Sequence, residues 1–267
     1  MLARCLALLS LAGVIALHGT GLDAQPAAAP PSTTPTDTTA TTAAAPRSPR
    51  NASYAITARL DPASRTLKGD ELLTWRNLTG TPARTLRFHL YYNAWRNSAS
   101  TWMRERRLAG DSSGMRRPQT DWGWIEVTSV RVIGSGGTTT DLTHALRAVA
   151  PDDGNVDDAT VAELPLETAV EPGQAVNVQI AWSARVPRTF ARTGVIDNDY
   201  LLAHWFPKIA VLEDSGWNSH QFHAGTEFFA DFGVYDVRLT VPNGWVVGAT
   251  GTDDQVERVA CRVTRSC

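Results

Sequence analysis

Cysteine is scarce in this chain. Its 267 residues hold three, Cys5, Cys261 and Cys267, with no C-x-x-C pair, which argues against a disulfide scaffold and against a Cys-rich zinc module. An excess of charge of either sign is also missing. Lys plus Arg is 25 and Asp plus Glu is 27, a net charge of −2, so the chain lacks the basic footprint of a nucleic-acid partner. Charged residues make up 19% of the chain, below the ~25% of ordinary domains. Catalytic signatures are absent too: there is no H-E-x-x-H, no G-x-S-x-G, no P-loop and no G-x-G-x-x-G. What is abundant is apolar surface, since 43% of residues are hydrophobic, enough to build a large core.

No apolar stretch approaches the ~18 residues of a membrane span. The longest, Leu6 to Leu17, follows Arg4 and precedes His18-Gly19-Thr20-Gly21, the layout of a signal peptide. Residues 1–24 are therefore expected to direct export to a periplasmic or extracellular space, with no stable membrane span in the mature protein. Residues 25–50 contain 7 Ala, 7 Thr, 6 Pro and 2 Ser. Without large apolar side chains they cannot offset their ordering entropy, and they read as a disordered linker. Residues 51–251 read as one folded domain. In residues 252–267 only Val256, Val259 and Val263 are sizeable apolar groups among many charges, so a poorly packed tail is expected.

From residue 53 onward the period is two. Tyr54, Ile56, Ala58 and Leu60 alternate with polar or small residues, and Asp61-Pro62-Ala63-Ser64 supplies a turn. The same alternation predicts strands within Thr66 to Thr79, Leu86 to Tyr92, Ile125 to Ile133, Val176 to Val186, Val234 to Val241 and Trp245 to Ala249. His89, between Phe88 and Leu90, is placed on the face opposite the apolar one. The one helix candidate is Ser100 to Leu108, with Ser98 or Ser100 as cap and Gly110 as stop. Many strands and almost no helix predict an all-β, antiparallel sandwich. Residues 134–160 are rich in Gly, Thr and Asp, and Pro151 to Asn155 reads as an exposed loop.

Nine tryptophans stand out. Trp75, Trp182 and Trp245 lie in strand patterns and are expected between the sheets. Trp122 and Trp124, beside Gly123, are the pair that a sugar-binding surface would use. Among the six histidines, His220 and His223 with Glu227 come nearest to a metal constellation, because imidazoles and a carboxylate are suitable zinc ligands. Spacing alone favours surface polar groups here, and no metal ligand is assigned in this chain. Asp197-Asn198-Asp199 and Asp152-Asp153 resemble calcium-loop fragments without the closing Glu.

Several blocks taken together resemble a family. Tyr54-Ala-Ile-Thr-Ala-Arg-Leu-Asp61, the run from Leu67 to Asn77 and the run from Leu86 to Trp95 look like the opening of the membrane alanyl aminopeptidase family of gluzincin zinc metallopeptidases. His204-Trp-Phe-Pro-Lys-Ile-Ala-Val211, Gly216-Trp217, the run from Glu227 to Val237, and Val241-Pro242 through Gly251 resemble later strands of that family's N-terminal domain, in its bacterial exported branch. The resemblance covers roughly residues 52–251. It implies a saddle-shaped β-sandwich that docks on a thermolysin-like catalytic domain and contributes polar contacts to the free amine of a peptide substrate. Asn198, Asp199 and Glu227 are the candidates for that substrate-binding role. Zinc and the general base of peptide hydrolysis belong, in the family, to the catalytic domain, whose motifs this chain does not contain. The resemblance therefore predicts a docking domain inactive by itself, in a gene that is truncated or frame-shifted after Gly251. A second reading from the residues is a stand-alone secreted sandwich that binds carbohydrate or protein through exposed Trp122 and Trp124.

Overall fold

A computed structural model of the chain describes residues 49–251 except Ser135 and Thr189. The expected signal peptide, nearly all of the linker, and the tail from Thr252 with Cys261 and Cys267 lie outside the described residues.

The first hairpin follows directly from the alternation in the sequence. β1 (Ala52–Asp61) and β2 (Thr66–Arg76) pair antiparallel, and the odd-one-out rule of a pleated strand buries Tyr54, Ile56 and Leu60 on one side and Leu67, Leu73 and Trp75 on the next. The turn between them is held by Asp61, whose carboxylate accepts from the Ala63 amide at 3.0 Å and the Ser64 hydroxyl at 2.6 Å. β3 (Ala83–His89) follows, then a 3-10 turn at Tyr91–Trp95 and the helix α1 (Thr101–Leu108). The remaining strands are β4 (Trp124–Ile133), β5 (Thr139–Asp141), β6 (Arg147–Ala148), β7 (Val161–Val170), β8 (Ala175–Arg185), β9 (Gly194–Ile196), β10 (Asp199–Leu201), β11 (Lys208–Ile209), β12 (Val211–Glu213), β13 (Gly216–Asn218) and β14 (Tyr235–Thr240).

The architecture is an all-β sandwich. A six-stranded sheet runs β14-β1-β2-β8-β4-β5 and a four-stranded sheet runs β11-β3-β7-β6, with the hairpins β9/β10 and β12/β13 attached. Every pairing within these sheets is antiparallel except β1 with β14, which is parallel. One continuous core joins the inward residues of both sheets, among them Leu73, Trp75 and Ile180 from the larger and Leu86, Phe88, Leu164 and Ile209 from the smaller. Tyr54 bridges the layers, its hydroxyl accepting from the Ile209 amide at 3.0 Å. Opposite Trp182 on β8 the partner on β2 is Gly69. A Cβ there would meet the indole at Cε2, 2.8 Å away, so this glycine is what lets the ring lie across the sheet.

The sequence expectations meet the structure unevenly, for physical reasons. Ser100 is the cap of α1, its hydroxyl accepting from the Met103 amide at 3.3 Å and donating to the Ala94 carbonyl at 2.6 Å. The strand expected over Leu86 to Tyr92 stops at His89, where the chain bends into the 3-10 turn. His89 is fully buried, not outward-facing, because the 219–223 segment covers the second face of the smaller sheet and His220 packs on it at 5.2 Å. β7 was invisible to alternation: Pro165 interrupts it, and the ladder with β3 shifts register beside that residue, where a proline has no N–H to donate. Trp245 to Ala249 forms no strand; Trp245 is half-buried against Tyr200. Pro151 to Gly154 are exposed, as expected of this loop, but Asn155 is not. It is buried, and its amide donates to the Ala99 carbonyl at 2.9 Å and to Thr101 Oγ1 at 3.1 Å, while buried Asp158 accepts from the Thr101 amide at 2.9 Å. The Asp-rich segment thus braces the start of α1.

Candidate functional site

α1 places the side chains that open a cleft on the domain surface. Its residues Trp102 and Met103 are buried, and Arg106, one turn after Trp102, lays its guanidinium 4.9 Å from the indole centroid. Glu105, on the neighbouring side of the helix, accepts from the Ala224 amide at 2.7 Å and bonds His223 Nδ1 at 2.6 Å. These bonds pin the 222–228 segment to α1. Between that segment, α1, residues 111–117 and residues 190–192 lies a cleft of about 380 Å3, within the size range of small-ligand sites.

The cleft has an aromatic floor and a cationic rim. Phe190, Phe222 and Phe228 line it with Trp102, and Phe222 stacks on Phe228 at 4.7 Å between centroids. Three guanidiniums each cover a ring: Arg106 on Trp102, Arg117 on Phe190 at 4.0 Å and Arg192 on Phe228 at 5.6 Å. Two are matched by carboxylates that also line the cleft, Arg106 by Asp111 and Arg192 by Glu227. Gly114 forms part of the wall, where a Cβ would approach the Met103 methyl to 2.9 Å. None of the three arginines was singled out from the sequence. A signal existed in the five arginines within residues 104–117, but the rings that hold two of them come from distant segments.

Behind the floor lies a buried polar cluster. His89 shares a short hydrogen bond with the Tyr91 hydroxyl. Burial, aided by the neighbouring His220, Lys208 and His204, pushes the His89 imidazole down to about 3. Burial beside Lys208 does the same to His204, also to about 3, and Lys208 Nζ lies 3.2 Å from His204 Nδ1. Glu71, inward-facing on β2 and 1% exposed, has no hydrogen-bond partner among the described residues on either carboxylate oxygen, and burial raises its pKa well above the usual carboxylate range.

The three expected substrate contacts are not brought together in one pocket. Asn198 and Asp199 are exposed at the β9/β10 turn, while Glu227 lines the cleft in its ion pair with Arg192. Nor do His220, His223 and Glu227 fit a zinc ion. Both ring nitrogens of His223 are engaged, Nδ1 by Glu105 and Nε2 by Asp152 at 2.7 Å, and Glu227 is held by Arg192. Burial alone would lower the His223 pKa, but the two carboxylate hydrogen bonds together outweigh it and hold the ring above its ordinary value. Among the described residues no cluster of three or more potential ligands is arranged around a metal position. Trp122 is buried against Phe190 at 6.0 Å, so it offers no exposed stacking face, and Trp124 is half-buried.

A second surface feature lies past the cleft. Of thirteen large hydrophobic side chains exposed among the described residues, seven fall within residues 229–247: Phe229, Phe232, Val234, Tyr235, Val237, Val246 and Val247. β14 sits at the edge of the larger sheet and is exposed along most of its length.

No family model and no curated protein matches the chain. Among solved structures it is similar to an M1 zinc metallopeptidase from Deinococcus radiodurans, at 15% identity over 55% of this chain and 23% of that one, with a TM-score of 0.29. A two-domain M1 zinc metallopeptidase variant bound to L-arginine matches at 17% identity over 77% of this chain and 36% of that one, TM-score 0.39. The CBM3a-L domain of the scaffoldin of the Clostridium thermocellum cellulosome matches at 13% identity over 57% of this chain and 81% of that one, TM-score 0.27. This chain spans well under half the length of the peptidases it matches, and likeness at this level assigns it no activity.

Proposed function

We propose that this chain is the N-terminal docking and substrate-cleft domain of an exported, aminopeptidase-like zinc metallopeptidase, with zinc and the general base of peptide hydrolysis held by a thermolysin-like catalytic partner domain. The reading rests on the sequence blocks from Tyr54 to Gly251, and the observation that carries it is the apolar strip over residues 229–247. Phe232 is 70% exposed and Val246 95%, and a concentration of such groups on and beside an edge strand is costly in water unless another surface covers it. A lectin-like module calls instead for a groove of exposed aromatic rings, and Trp122 is buried. In this reading Glu227 at the cleft, and Asn198 and Asp199 at the exposed β9/β10 turn, are the candidate contacts to the peptide's free amine, and the partner occupies the strip.

The test begins with the coding DNA beyond codon 267, read in all three frames for an H-E-x-x-H domain. That domain, expressed as a separate chain, is mixed with this one and followed by hydrogen exchange. Co-elution with protection concentrated in residues 229–247 supports the reading. Absence of any such coding sequence, or association that leaves 229–247 exchanging as before, overturns it.

A further inference from the structure

We propose that the cleft between α1 and the 222–228 segment binds a carboxylate attached to an aromatic body, the chemistry shared by a peptide ending in Phe and a free arylalkanoic acid. The site stands on this domain alone and does not depend on the catalytic partner.

Arg117 is the anchor. Its guanidinium lies 4.0 Å from the Phe190 ring centroid, and Nη1 donates to the Arg188 carbonyl at 2.6 Å. Stacking and one hydrogen bond hold the planar group, and among the described residues its remaining N–H donors have no acceptor. Arg106 and Arg192 each have a carboxylate partner, whereas no acidic side chain pairs with Arg117 among those residues. The five charged residues lining the cleft therefore leave one positive charge uncompensated, at Arg117. A guanidinium with free parallel donors selects a planar carboxylate over a spherical anion, because two N–H groups reach both oxygens at once.

The floor supplies the second half of the recognition. Phe190 and Phe228 line a concave space of about 380 Å3; Phe190 is 4% exposed and Phe228 is stacked between Phe222 and His204, so ring edges rather than open faces meet the cleft, which suits an aromatic ring approaching edge to face. Phe222 stacks on Phe228 with an interplanar angle of 7°, so the floor is rigid before any ligand enters, which lowers the entropic cost of binding. A neutral aromatic compound would leave Arg117 unsatisfied against the ring, and a small anion would leave the floor wet.

The purified chain is titrated calorimetrically with 3-phenylpropionate, the tripeptide Ala-Ala-Phe, 3-phenylpropionamide and acetate. Binding of the first two is expected, with whichever is tighter naming the source, and the amide and acetate at least about tenfold weaker. Arg117→Gln is expected to weaken the carboxylates about tenfold or more, with circular dichroism checking the fold. Gly225→Trp is the second variant. Gly225 lines the cleft and a Cβ there meets nothing within 4 Å, so an indole is tolerated at the cleft wall and is expected to obstruct binding while Arg117 stays in place. Equal affinity for acid and amide, undiminished binding in either folded variant, or no binding by either carboxylate overturns the proposal.

Discussion

The buried His89 ring should make this domain's stability fall as the pH drops below about 6.5. The ring is fully buried, Nε2 has no partner among the described residues, and its pKa is pushed to about 3 by burial and by His220, Lys208 and His204, with Asp152 acting in the opposite direction. In the unfolded chain the same imidazole titrates near its ordinary value of ~6.5. A group that is harder to protonate folded than unfolded contributes stability that is complete above the unfolded pKa and is lost as pH falls toward the folded one. With pKa values of about 3 folded and ~6.5 unfolded, moving from about pH 7.5 to about pH 5 costs the native state about 2 kcal/mol through His89 alone. For a domain of this size that is a fall in melting temperature of roughly 4–8 °C. His204 and His220 are shifted in the same direction and add to the slope, while His223, shifted upward, opposes it. The assay is a series of thermal melts across this range on the native chain and on His89→Gln. The variant is expected to start less stable, having lost its bond to Tyr91, and to lose about 2 kcal/mol less on acidification. Equal pH slopes in the two proteins would refute the assignment of acid sensitivity to this buried ring.

Glu71 is buried and unpartnered on both oxygens, so Glu71→Met should raise stability by about 1–3 kcal/mol in a denaturant titration; a loss would mean that its interaction with Lys208 outweighs desolvation. Ser100→Ala removes the cap of α1 and should cost about 1 kcal/mol, read as a melting temperature lower by roughly 2–4 °C. At Gly233 a Cβ would collide with the Ala52 carbonyl, so Gly233→Ala should push β14 off β1 and abolish slow hydrogen exchange at the Tyr54 amide, which donates to the Val234 carbonyl at 2.8 Å. The purified chain with zinc and an alanyl chromogenic substrate is expected to show no chelator-sensitive turnover; turnover abolished by His220→Ala would show a catalytic site that the side-chain geometry does not suggest.

Local pattern determined a great deal of this protein. In β1, β2 and β8 each inward residue sits two positions from the next, so period-two apolar placement alone implied strands, their buried faces and hence a sandwich. The cap of α1 was legible as Ser98 or Ser100, since a serine before a short helix-forming run satisfies the first free amides with its own hydroxyl, and the structure selects Ser100. Tertiary structure decided what depends on partners far along the chain. Glu71 occupies an inward slot in β2 that alternation assigns to an apolar residue, and only the opposing sheet reveals that it is buried without a partner. His89 looks outward by strand parity, yet the 219–223 segment covers that face too. The cleft is the clearest case: Arg117 and Phe190 are 73 positions apart in the chain, and no sequence period brings a guanidinium onto a ring across that separation. Spacing encodes which side of an element a residue occupies; the surface that the side then meets is set by the packing of whole layers, where burial, charge pairing and pKa shifts arise together.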